Sequence, residues 1–170
     1  MNEVVWRGFT RAALDAAYNN SAAVKNSAEK LAEWQERSRR FRAGHGGKLD
    51  VRYGPRQRDT IDIFHCGKES APLLAYIHGG YWQRNAKEFY SCLAVGPLAH
   101  GFDCAFIGYT LAPDVTMTEI VAEVRAALRY LRGGCDKTLR KPERCGRRDD
   151  FNRSNFSSAV CGRAYLQKEI

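Results

Sequence analysis

The chain has only four histidines, and none lies beyond His100. Any chemistry needing a histidine late in these 170 residues is therefore excluded. Six cysteines are present, but none forms C-x-x-C and no Cys/His cluster has zinc-ligand spacing. No metal and no cofactor is expected. His65-Cys66 is the nearest approach to a ligand pair, and it lacks companions. No apolar run approaches the roughly 18 residues of a membrane span, and no membrane partner is expected. No apolar segment follows the acidic opening Met1-Asn2-Glu3, so a secretory leader is not expected either. A cytoplasmic protein with reduced thiols is the simplest expectation.

The net charge of +8 is unevenly spread. Ten of the 27 Lys and Arg fall in the 39 residues after Leu131, against five of the 19 Asp and Glu. These basic residues form no helical stripe and match no nucleic-acid module, so no nucleic-acid partner is expected. Arg37-Ser38-Arg39-Arg40 reads as a solvated helix face.

What is present is organised around Leu73-Leu74-Ala75-Tyr76-Ile77-His78-Gly79-Gly80-Tyr81-Trp82. The apolar run reads as a strand buried on both faces. It stops at two glycines, where peptide N–H groups approach a ligand with no Cβ in the way. Such donors suit an oxygen that gains charge in a transition state.

Upstream, Thr10 to Asn19 is a short Ala-rich helix with Thr10 as N-cap. A second helix begins at Asn26, where Glu29 makes a capping-box-like pair. Leu31, Trp34 and Phe41 are its apolar stripe, and Glu33/Arg37 and Glu36/Arg40 its ion pairs. Gly44, Gly46 and Gly47 end it. Two alternating strands follow, around Leu49–Tyr53 and Thr60–Ile63, joined at Gly54-Pro55. Beyond the glycines a helix is expected over 87–99, with Phe89, Tyr90, Leu93, Ala94 and Leu98 inward and a break at Gly96-Pro97. Cys104–Tyr109 reads as another buried strand. Thr116 and Glu119 form a capping box for a helix whose stripe is Ile120, Val124, Ala127, Leu128 and Leu131. This alternation predicts parallel βα units. After Arg132 the pattern fades, apart from a weak strand at Phe156–Val160.

His78-Gly79-Gly80-Tyr81-Trp82 resembles the HGG oxyanion loop of α/β-hydrolase esterases, and its Tyr-Trp ending resembles the arylformamidase (kynurenine formamidase) branch. Tyr18-Asn19-Asn20 and Tyr109-Thr110-Leu111-Ala112-Pro113 agree with it. The resemblance covers about residues 10 to 132. It implies an α/β class: a partial α/β-hydrolase fold with an opening β-hairpin, then parallel βαβα units, and the C-terminal part of the sheet missing. The expected organisation is a helical segment over 1–47, the N-terminal half of the hydrolase domain over 48–132, and an atypical basic tail over 133–170.

The resemblance also implies oxyanion donors at Gly79, Gly80 and Tyr81, a supporting loop with His78 and Trp82, and a substrate pocket touched by Tyr18 and Trp82. The implied substrate is a small aromatic amide or ester. The catalytic set is missing. No G-x-S-x-G occurs, and Ala159-Val160-Cys161-Gly162-Arg163 imitates it poorly, because Arg163 stands where a small residue belongs. The triad order Ser, then Asp or Glu, then His cannot be completed after His100. The expectation is a chain inactive alone. The alternatives are a truncated or frameshifted non-catalytic fragment, or a half-domain acting through a complementing chain or homo-oligomer.

Overall fold

A computed structural model describes residues 3–133 and the strand Phe156–Val160. The chain opens with a two-stranded hairpin, β1 (Val4–Trp6) and β2 (Phe9–Thr10), which the sequence reading did not foresee. Three helices follow: α1 (Arg11–Tyr18), α2 (Asn20–Ala23) and α3 (Ser27–His45). Then come β3 (Lys48–Arg52), β4 (Thr60–Phe64), β5 (Leu73–Ile77), a 3₁₀ segment Lys87–Ala94, α4 (Val95–Ala99), β6 (Asp103–Ile107), α5 (Met117–Gly133) and β7 (Phe156–Val160).

The larger sheet has the order β3-β4-β6-β5-β7. The opening pair β3/β4 is antiparallel, as expected, and β4 meets β6 antiparallel. β5 runs parallel to β6, with Ile77 opposite Ile107. β7 pairs parallel with the other side of β5, so the weak strand signal at Phe156–Val160 supplies a fifth strand. The rest of the basic tail, including Cys161, lies outside the described residues.

Strand alternation sorts the core into two layers. Ile61, Ile63, Ala75, Ile77, Ala105 and Ile107 face α5, which buries Ile120, Ala127 and Leu131 against them. Phe64, Tyr76, Cys104 and Phe106 face the other way, toward Phe41 of α3 and Tyr90 and Ala94 of the 3₁₀ segment. Each fully buried aliphatic side chain contributes about 1.5–3 kcal/mol. The capping box of α5 forms as read: Thr116 N–H donates to Glu119 Oε2 at 2.8 Å, and Glu119 N–H to Thr116 Oγ1 at 3.3 Å.

Several expectations are corrected. Asn26 caps α3 with a left-handed backbone (φ 62°) and no side-chain hydrogen bond, so its pairing with Glu29 does not form. Leu31 and Trp34 stay exposed, and the buried residue of α3 is Ser38, whose hydroxyl donates to the Phe89 carbonyl at 2.9 Å. Gly44 lies inside α3, which ends at the left-handed Gly46. The helix expected over 87–99 is a 3₁₀ segment followed by α4, and Leu93 is exposed. Asp62, which alternates with Ile61 and Ile63 in the sequence, is fully buried. Among the described residues no helix is long and apolar enough to cross a membrane.

Candidate functional site

Adjacent parallel strands release their following loops at the same edge of the sheet, the usual place for a site in an α/β fold. The register Ile77–Ile107 therefore brings His78 beside Tyr109. Their rings stack with centroids 4.3 Å apart, and the Tyr109 hydroxyl donates to the His78 carbonyl at 2.6 Å. Both residues are buried. Burial pushes the Tyr109 phenol up to about 12, so it stays a neutral donor.

Burial also lowers the pKa of His78, outweighing the hydrogen bond at Gly79 that favours charge. The neutral ring donates from Nδ1 to the Gly79 carbonyl at 3.0 Å. This bond holds the ring against the loop, while Nε2 is buried without a hydrogen-bond partner.

Beyond His78 the backbone turns sharply. Gly80 has φ 129°, and Tyr81 and Trp82 follow at 53° and 62°. Non-glycine residues seldom adopt positive φ, and consecutive ones cluster at binding and catalytic sites. Gln83 and Arg84 N–H both donate to the Gly80 carbonyl at 3.0 Å. Among the described residues, the peptide N–H groups of Gly79, Gly80 and Tyr81 donate to no backbone carbonyl of this turn.

Residues 78–82 form one loop, and Tyr18 meets it through its backbone carbonyl, without a pocket shared with Trp82 among the described residues. Trp82 is half-buried, its ring 5.6 Å from that of Tyr109, and its carbonyl accepts from Ala112 N–H at 2.8 Å. That bond ties the glycine loop to the loop after β6. Tyr18 and Tyr81 are both exposed, and the Tyr81 hydroxyl donates to the Tyr18 carbonyl at 3.2 Å. The end of α1 thus reaches the mouth of the loop. Arg84 lies over the Tyr81 ring at 5.9 Å.

Sequence reasoning missed Arg58 and Asn85. Arg58 donates from Nε to the Tyr109 carbonyl at 2.8 Å and from Nη2 to the Asn85 carbonyl at 2.7 Å. One guanidinium therefore staples both loops. Asn85, at φ 76°, donates from its side chain to the Gly79 carbonyl at 3.1 Å and to the Tyr90 hydroxyl at 2.9 Å. The available signal was an asparagine shortly after a glycine pair, a residue tolerant of left-handed backbone. Under the site lies a charged cluster. Lys87 Nζ reaches Asp50, Asp62 and Glu88 at 2.7–2.8 Å, and Arg42 pairs with Asp62.

No group of three or more potential metal ligands occurs among the described residues. His65 Nδ1 instead pairs with Asp103 Oδ2 at 2.9 Å, and Cys66 N–H donates to the same carboxylate.

A family model described as BD-FAE matches residues 61–144. The kynurenine formamidase of Drosophila melanogaster is 36% identical over 84 residues, which are 48% of this chain and 27% of that protein. The kynurenine formamidase of Salmo salar is 34% identical over 108 residues, 62% of this chain and 35% of that protein. A crystal structure from Silicibacter sp. tm1040, described as a thioesterase, superposes with a TM-score of 0.67 at 32% identity. It covers 69% of this chain and 46% of that one. The matched segments span about a third of the curated relatives or less.

Proposed function

We propose that residues 78–82 form the oxyanion loop of an acyl-transfer site, a reading supported by the similarity of this chain to kynurenine formamidases and to a structure described as a thioesterase. The reaction is transfer of a formyl or short acyl group to water, from an aryl formamide or a small carboxylic ester. When a nucleophile adds to the carbonyl carbon, the π pair moves onto oxygen. Peptide N–H groups of Gly79, Gly80 and Tyr81 meet that oxyanion. Preorganised donors of this kind contribute about 3–4 kcal/mol each to such a transition state. Collapse re-forms the C=O bond and breaks the bond to nitrogen or oxygen, and the amine or alcohol leaves with the proton given up by the attacking water. Trp82 and Tyr18 flank the acceptor. The observation carrying this reading is the strained turn Gly80-Tyr81-Trp82 at the end of a buried parallel strand, with its leading N–H groups left out of the turn's own hydrogen bonds.

The nucleophile, acid and triad histidine are not supplied by these 170 residues. No G-x-S-x-G and no histidine after His100 exist to provide them. Residues 1–170 alone therefore bind acyl oxygen without turnover. A complementing chain is the second reading, favoured by the position of β7 at the end of the strand order among the described residues. An edge strand offers unpaired peptide groups to a further strand.

The test is to add an N-formyl aryl amide to the purified chain, while following product release and the amide resonances of residues 78–82. The expected result is saturable shifts at Gly79, Gly80 and Tyr81 with no turnover. Absence of those shifts contradicts the oxyanion reading. Saturable turnover contradicts the missing catalytic set.

A further inference from the structure

We propose that Asn85 is the positioning residue that aims the Gly80 N–H, an inference that rests on the oxyanion reading above. The Gly79–Gly80 peptide is trans, so the Gly79 carbonyl and the Gly80 N–H point in opposite directions. Fixing one fixes the other. The Gly79 carbonyl accepts two hydrogen bonds, from His78 Nδ1 at 3.0 Å and Asn85 Nδ2 at 3.1 Å. With two lone pairs engaged, the carbonyl is held toward the protein interior. The Gly80 N–H is held on the opposite side.

Asn85 is itself held at both ends. Its second side-chain N–H donates to the Tyr90 hydroxyl at 2.9 Å, and its own carbonyl accepts from Arg58 at 2.7 Å. Gly80 makes room for this arrangement. A Cβ on Gly80 would lie 2.8 Å from Asn85 Nδ2 and 2.4 Å from the Arg84 carbonyl oxygen. The glycine thus serves two ends: it permits φ 129° and lets the asparagine amide close on its neighbour's carbonyl. Asn85 touches no reacting atom and acts through the peptide plane alone.

The experiment uses the ¹⁵N-labelled 170-residue chain, wild type and Asn85→Gly. Glycine tolerates the left-handed backbone at residue 85 and removes only the side chain. The wild-type Gly80 N–H is expected to show an order parameter of about 0.85, falling below about 0.6 in the variant. The amide of Ala105, buried in β6, is expected to stay rigid in both. A merely structural role would lower the melting temperature without singling out Gly80. Asn85→Asp keeps the side-chain size but supplies no donor, so it serves as a second variant and should loosen Gly80 in the same way.

Formate, added as the oxyanion probe, should bind the Asn85→Gly protein at least tenfold more weakly. A Gly80 N–H as rigid in both variants as in wild type overturns the proposal. If wild-type Gly80 does not respond to formate, the oxyanion reading fails instead. The order parameters still answer for Asn85, so the two failures are distinguishable.

Discussion

The Tyr109 hydroxyl donates to the His78 carbonyl at 2.6 Å while the two rings stack face to face. This contact joins the loops after β5 and β6 inside the core. Tyr109→Phe removes the donor and keeps the ring, leaving a buried carbonyl short of a partner. The expected cost is about 1–3 kcal/mol, read as a lower urea midpoint at unchanged slope. A midpoint equal to wild type would show that the hydroxyl bond is not what couples the loops.

Lys87 and Asp62 test the charged cluster beneath the site. Both side chains are almost wholly buried. Lys87→Met strands carboxylates that only Arg42 then neutralises, and the expected loss is about 3–5 kcal/mol. Replacing both residues with apolar ones, Lys87→Met with Asp62→Leu, should recover part of that loss. Equal losses in the single and double variants would show that the pairing is not the origin of the cost.

Stability should fall on acidification. The Lys87 ammonium holds the Asp50 carboxyl below its ordinary value of 3.8, against the effect of burial. Burial pushes Glu88 and Asp103 up, yet hydrogen bonds from Lys87 and from His65 and Cys66 outweigh it and leave both lowered. A carboxyl whose pKa is depressed on folding contributes stability that is complete above its unfolded value. That contribution is lost as the pH falls through the folded one. Urea midpoints should therefore be level above about pH 5 and decline below about pH 4. Asp103→Asn should flatten part of the decline. A midpoint that rises with acid would contradict these assignments.

Gly80→Ala should be costly although the position is only half-buried. The new methyl meets the Arg84 carbonyl oxygen at 2.4 Å, at a φ that L-residues rarely adopt. About 1–3 kcal/mol of strain is expected, seen as a lower melting temperature. Gly67→Ala is the control: its φ is also positive, but open space surrounds it. It should lose less than Gly80→Ala, and equal losses would argue that backbone conformation alone sets the cost.

The elements legible in the sequence were those specified by local pattern. β5 is an unbroken apolar run, β6 is one from Cys104 onward, and α5 carries both its capping box and its stripe within a few turns. What escaped depends on partners far away in sequence. Asp62 reads as a polar alternate because Arg42 and Lys87, which accompany it into the interior, come from separate elements. The expected cap at Asn26 does not form: the residue takes a left-handed backbone and makes no side-chain cap hydrogen bond. At the site, the glycine loop was legible because glycine pairs after a buried strand are informative by themselves. Arg58 and Asn85 were not, because side-chain bonds to backbone carbonyls leave no periodicity to read.

On the proposed reading, residues 78–82 form an oxyanion loop and residues 1–170 lack the nucleophile it serves. Intact-mass measurement after treatment with an excess of a fluorophosphonate tests this most directly. An activated serine beside such a loop would be labelled to one equivalent. The account predicts no stoichiometric adduct on any serine of the 170-residue chain. A single stoichiometric serine adduct, blocked by prior addition of an N-formyl aryl amide, would contradict it.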